Sequence, residues 1–264
     1  MTPCRWGSAV VFTIALGCSM ALAQDAVPKV ILVHPSAPVV PASLLRISIQ
    51  FSAQVESPVL PRLSLLADDG RPIEEPFLEQ ELWSPDGKLL TVLMHPGRVK
   101  TGLKARAEKG PILASGTSVT LALDGHPIKQ WHVGPVDDAG PEPSVWKLSV
   151  VVARSIKPLV VALDAPIDAQ DADYIAVADM HGRRVPGRAR LTHGECTWTF
   201  IPDVPWRSET YRLVARGTLE DPSGNRVGSR FETSIDEPPG DPVDVSIRFR
   251  GAAVLRRNHA SPQQ

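Results

Sequence analysis

His95 sits in "LMHPGRV", and it is the first residue that invites a chemical reading. A catalytic histidine needs an acid or nucleophile within hydrogen-bond reach. Asp86 is the nearest upstream acid, but it lies at the far end of an extended run, roughly 30 Å away at about 3.3 Å per residue. No Gly-x-Ser-x-Gly elbow or other nucleophile motif accompanies it. The Pro96-Gly97 pair that follows suits a tight turn, because Pro fixes φ and Gly tolerates positive φ. A structural turn is therefore expected at His95.

Metal chemistry needs several ligands converging at defined spacing. His34, His95, His126, His132, His181, His193 and His259 include no His-x-x-x-His pair, and no cysteine stands beside them. His126 and His132 flank Pro127 and make a poor chelate. Oxygen donors occur in loops: Asp68, Asp69, Asp124, Glu220, Asp221 and Asn225. None follows EF-hand spacing, and each fits a turn in which an Asx side chain bonds its own backbone. No catalytic, cofactor-binding or metal residue is assigned from the sequence, and no cofactor is expected.

Cys196 lies in "ECTWTF", where alternation puts Cys196, Trp198 and Phe200 on one face and Thr197 and Thr199 on the other. A buried, inert thiol is expected there, since no His or Lys adjoins it. Trp83, Trp131, Trp146, Trp198 and Trp206 could line a carbohydrate platform, but Trp more often fills a core. Trp198 reads as core. Trp131 and Trp146 flank the best linker in the chain and read as junction packing.

These residues need a scaffold, and the 264-residue chain has room for one large or two ordinary domains. Its formal net charge of −1 gives no global pull toward nucleic acid. The 26 prolines and 19 glycines are spread between apolar runs, which suits many short strands and turns. Residues 1–23 read as a signal peptide: Arg5, an uncharged apolar stretch, then Ala21-Leu22-Ala23 before a polar chain. A second reading is lipidation, because "ALGC" resembles a lipobox with Cys18 as the lipid-bearing residue. Membrane contact is expected only in that case. After cleavage at Ala23 only Cys196 would remain, so no internal disulfide is possible.

Strand-like runs recur down the chain. Leu45, Ile47, Ile49 and Phe51 alternate with Arg46, Ser48 and Gln50, a period of two. No twelve-residue stretch has helical spacing, and "DAPIDAQDADY" holds one turn at most. "PVDDAGPEPS", residues 135–144, is acidic, proline-rich and without apolar period. The halves on either side can be superposed. "LSLLADDGRPI" matches "IAVADMHGRRV", "LTVLMHPGRVKTG" matches "WTFIPDVPWRSET", and "TLALDG" matches "YRLVARG". The expected fold is all-β, with two tandem immunoglobulin-like β-sandwiches after the signal peptide and a single large β-barrel as the competing arrangement. They span 24–134 and 145–235, joined by the 135–144 linker. Residues 236–264 form a C-terminal strand, "VDVSIRF", and a tail carrying Arg248, Arg250, Arg256 and Arg257.

"HPSAPVVPASLLRISIQFSAQV" resembles the opening of bacterial Ig-like domains of the S-layer type, and "LEDPSGNRVGSRFE" resembles their closing turn and last strand. Gln54-Val55 departs from the acidic or Met-Asp pair common there. The resemblance implies an exported, periplasmic or extracellular module without enzymatic activity, serving binding or assembly in the cell envelope. Its partner would be a protein or an envelope polymer, not nucleic acid. The first domain also resembles periplasmic copper carriers, with His34 as the one analogous residue. A metal or small-ligand carrier is the second expectation.

Overall fold

Alternation in the sequence becomes alternation in space. In β3 (Arg46–Phe51), Ile47, Ile49 and Phe51 enter the core while Gln50 is exposed. The computed structural model describes residues 28–56, 58–101, 103–229 and 242–252. The leader, Cys18, Arg256, Arg257 and His259 lie outside the described residues. Among the described residues the chain is all-β, with only short helical turns.

The first sandwich pairs two four-stranded sheets. One has the order β1-β3-β6-β5, from β1 (Val30–His34), β3, β6 (Leu89–Met94) and β5 (Phe77–Trp83). The other is β2-β8-β7-β4, from β2 (Val39–Pro41), β8 (His126–Gly134), β7 (Ser118–Leu123) and β4 (Leu63–Leu66). The pairs are antiparallel except β2 with β8, which run parallel. The chain thus switches sheets between β1 and β2.

The second sandwich repeats the scheme. β9 (Lys147–Leu148), β10 (Leu159–Ala162), β13 (Thr197–Pro202) and β12 (Gly187–Thr192) make one sheet, in the order β12-β13-β10-β9. β11 (Ile175–Ala178), β14 (Thr210–Ala215) and β15 (Val245–Arg250) make the other. The "VDVSIRF" run is its outer strand, with Ile247 and Phe249 packed on the second core.

Each sandwich has its own core. Ile47, Ile49, Leu90, Val92, Leu121 and Trp131 belong to the first; Leu159, Val161, Val177, Trp198, Trp206 and Leu213 belong to the second. Trp131 and Trp146 therefore do not brace one another across the linker. Each indole N–H finds an acceptor in its own domain: Trp131 donates to the Pro35 carbonyl at 2.9 Å and Trp146 to Asp164 Oδ1 at 2.7 Å. A buried Trp needs such a partner, and a nearby one suffices.

The internal repeat is written in hydrogen bonds. Ala67 N donates to Arg71 O, Gly70 N to Ala67 O and Ile73 N to Leu65 O. The matching residues of the second half do the same: Asp179 N to Arg183 O, Gly182 N to Asp179 O and Val185 N to Val177 O. Gly70 and Gly182 hold φ of 78° and 79°, the left-handed conformation that this turn requires.

Two short helices were not anticipated, α1 (Pro96–Val99) and α2 (Lys104–Lys109). His95 is the N-cap of α1, and its Nδ1 accepts from Gly97 N at 3.2 Å. Pro96 occupies the first turn, where its missing N–H costs nothing. The acidic "DAQDADY" segment forms a single 3₁₀ stretch, Ala169–Tyr174, capped by Asp168.

Candidate functional site at the interdomain junction

Ser48 and Thr91 face outward from the first sandwich, directly opposite one another on β3 and β6. Both are nevertheless buried, with their hydroxyls 2.8 Å apart. The 3₁₀ stretch of the second domain covers them, and Gln170 Nε2 donates to Thr91 Oγ1. The outer face of the β1-β3-β6-β5 sheet is thus the docking face for the second sandwich.

Three connections of the second domain meet that face: the 3₁₀ stretch, the β12–β13 turn and the loop after β14. Backbone bonds tie the three together, Asp168 N to Glu220 O at 2.9 Å and Ile167 N to Glu195 O at 3.3 Å.

Arg46 stands at the centre. It bonds Asp168 Oδ2 at 3.3 Å and also pairs with Glu220, which is held from its other side by Arg226 at 2.9 Å. Burial works against the Arg46 charge, but the two carboxylates outweigh it and raise its pKa. Beside this pair lies Asp171, buried, accepting from Glu220 N at 2.8 Å. Burial, with the neighbouring Asp168 and Glu220 charges, pushes Asp171 up to about 6 against the Glu220 N–H and Arg46.

Next to it, Asp221-Pro222-Ser223-Gly224-Asn225 is a polar turn buried throughout. Asp221 Oδ1 accepts from Ser223 N at 2.8 Å and Asn225 N at 2.9 Å, and Oδ2 from Asn225 Nδ2 at 2.8 Å. This is the turn chemistry expected of Asp221 and Asn225. What the sequence did not reveal is where the turn goes. Pro222 O accepts from Leu45 N and Arg46 N at 2.9 and 3.3 Å, so the loop completes the start of β3 in the other domain. Ser223 Oγ lies 2.9 Å from Ser43 Oγ. Burial pushes Asp221 up to about 7, although its three hydrogen bonds favour the charged form.

The second polar bridge uses His34. Its Nδ1 is 2.7 Å from Glu195 Oε1, and Ser36 N donates to Glu195 Oε2 at 2.9 Å. Burial of Glu195 raises its pKa, but these hydrogen bonds outweigh it and hold the carboxyl below its ordinary value. Gly194 presses so close that a Cβ there would lie 2.9 Å from the Ala37 Cβ. The space left between His34, Arg46, Asp168 and Glu195 is ≈ 10 Å³, about one water sphere.

The connection at 135–144 is pinned to both bodies. Asp137 exchanges two hydrogen bonds with Ser43, at 2.9 and 3.1 Å, and its carbonyl also accepts from Asn225 Nδ2 at 3.2 Å. Glu142 N donates to Asp164 Oδ2 at 3.1 Å.

The other candidate residues are dispersed. Asp69 accepts from Arg71 N at 3.0 Å, Asp68 from Ser118 N at 3.1 Å, and Asp124 pairs with Arg62 on the surface. His126, His132, His181 and His193 are exposed. Among the described residues no three His, Cys, Asp or Glu side chains gather as metal ligands. Cys196 is half-buried instead of sealed in the core with Trp198. The reason is the turn before it: His193, Gly194 and Glu195 all have positive φ, which breaks the alternation one residue before β13 begins. Burial, then the charges of Glu195 and Asp164, push its thiol pKa up.

No protein-family model matches the chain, and no curated protein matches it. Solved structures similar to it include domains 5-6 of the S-layer protein SbsC, at 11% identity, 86% of this chain and 99% of that chain covered, TM-score 0.26. An L,D-transpeptidase from Mycobacterium smegmatis matches at 11% identity over 85% of this chain and 74% of its own, TM-score 0.29. The ectodomain of mouse nectin-like molecule 4 matches at 8% identity over 81% and 65%, TM-score 0.23. At such scores these likenesses decide nothing about activity. The sandwich assignment rests on the strand pairings themselves.

Proposed function

We propose that this chain is a non-enzymatic, exported two-domain module of the cell envelope that binds or assembles with its two sandwiches held in one fixed arrangement. Its partner is an envelope protein or polymer. The observation that carries this reading is the junction: Arg46, Asp168, Asp171, Glu220, Asp221, Ser223 and Asn225 form a polar lock between the bodies. Buried polar groups are tolerated only when paired. Separating the domains would leave the Pro222 carbonyl, Thr91 and Arg46 without these partners. A tether that needed freedom between its domains would gain nothing from such a lock.

The N-terminal leader pattern supports export. Among the described residues no helix is long and apolar enough to cross a membrane.

Spin labels at Gln50 and Arg190, in a Cys196→Ser background, test the reading. One narrow distance distribution is expected, broadening in Arg46→Ala. A broad distribution in the unsubstituted chain would sink the fixed arrangement. Turnover of an envelope substrate that is lost on a single side-chain change would sink the non-enzymatic reading.

A further inference from the structure

Arg212 and Arg248 stand directly opposite each other on β14 and β15. Such partners point to the same face with Cβ atoms about 4.5–5.5 Å apart, and like charges there repel. The face is outward: Ser246, Arg248 and Arg250 are exposed, while Ile247 and Phe249 pack on the core. One strand further in, Ala178 is the register partner of Arg212, and Ala178 is bridged in turn to Arg184. The row therefore reads Arg184, Ala178, Arg212, Arg248 across four adjacent backbones, a width of roughly 14 Å at about 4.8 Å per step. Arg250, opposite Thr210, adds a charge in the next outward row.

Little on this face neutralises it. Asp179 is taken by Arg183 at 2.9 Å, and Asp173 lies 3.7 Å from Arg184 with both side chains largely exposed. Among the described residues Arg212, Arg248 and Arg250 make no ion pair. The Arg212 guanidinium reaches over the Gly182 turn, where an added Cβ would sit 3.4 Å from Nη2. A recess of ≈ 300 Å³ shares Arg184 with the row, and its walls mix the apolar Val185 and Val204 with the basic Arg207 and the acidic Asp179 and Glu209.

We propose that this face of the second domain binds an extended phosphate-bearing polymer, with Arg212 and Arg248 gripping its phosphates. The inference deepens the binding-module reading and rests on it. Charge complementarity selects an anion, and the guanidinium fork suits phosphate bidentately. A row of like charges across a sheet face suits a linear polyanion better than a compact ligand.

The probe is long-chain inorganic polyphosphate, titrated into the full chain at several salt concentrations. Affinity should fall with salt, as release of counterions requires. Arg212→Ala/Arg248→Ala should weaken binding by about tenfold or more and lower the salt slope by about 2. Loss of folding is not the expected confounder, since this change removes a repulsion, and a thermal melt checks it. Arg212→Lys/Arg248→Lys should fall between the two, because charge remains and the fork is lost. Arg188→Ala/Arg190→Ala, on β12 of the opposite sheet, should change affinity by less than about twofold.

No binding at low salt, or equal loss in both alanine pairs, overturns the proposal. Binding to anionic phospholipid vesicles without binding to polyphosphate transfers the face to a membrane and also overturns it. Equal affinity for polygalacturonate overturns the choice of phosphate. None of these outcomes touches the module reading, which the label distances and turnover decide.

Discussion

Arg46 shows how one side chain can hold two domains. It is the cation between Asp168 and Glu220, and both carboxylates belong to the other sandwich. Removing one member of a buried ion pair costs more than the pair contributes, because the remaining charge stays desolvated. Arg46→Ala is expected to lower unfolding free energy by about 3 kcal/mol in urea denaturation. Arg62→Ala, at the exposed pair with Asp124, should cost well under about 1 kcal/mol. Equal effects would mean that the junction pair is as solvated as the surface one. Cys196 gives a second expectation at this scale. Its raised thiol pKa leaves little thiolate near neutral pH. It should react with a disulfide reagent markedly more slowly than a free thiol at pH 7.5. A fast reaction would place a cation beside it that the fold does not show.

At the level of elements, the turns were legible and the docking face was not. The Gly70 and Gly182 turns could be aligned from sequence because both need glycine at a positive φ after an apolar strand. Alternation identified Ser48 as outward on β3, and outward it is. Alternation cannot say what covers an outward residue, so its burial under Gln170 was invisible. The "LEDPSGN" loop was readable as an Asx turn for the same local reason, while its bonds to Leu45 and Arg46 join residues far apart in the chain. The 135–144 connection looked like a spacer by composition. Its Gly140 lies flat against the loop, and a Cβ there would stand 2.0 Å from the Arg226 carbonyl oxygen. Gly140→Ala should therefore detach the connection, lower the melting temperature and increase proteolysis within 135–144. Gly70→Ala meets nothing within 4 Å, and should cost only its backbone strain, about 1 kcal/mol. If the two variants melt alike, the connection is not seated as described.

For the whole molecule, the junction couples stability to pH with a sign that can be worked out. Asp171 is raised to about 6 and Asp221 to about 7, both by burial first. Around Asp171 stand Asp168, Glu220 and Arg46; around Asp221 stand Asp137 and Asn225. A carboxyl whose folded pKa exceeds its unfolded value binds protons more tightly when folded. Its stabilising contribution is complete below about pH 4, and it is lost as pH rises through 6 for Asp171 and 7 for Asp221. Glu195 works the other way, but its lowered pKa confines its effect to more acidic solution. Between pH 5.5 and 8 the two raised aspartates should therefore dominate. Each pKa unit corresponds to about 1.4 kcal/mol. Over that range the two raised values together imply a loss on the order of 2–3 kcal/mol. Urea denaturation across that range should show stability falling as pH rises, and the label-distance distribution should broaden in parallel. Asp171→Asn/Asp221→Asn keeps an acceptor at each position while removing both titrations, and its profile should be nearly flat. A profile that instead stays level from pH 5.5 to 8 would mean the junction carboxylates are ionised and well paired throughout, because such groups titrate only in more acidic solution. The lock would then be a set of ordinary ion pairs with no proton held between the domains.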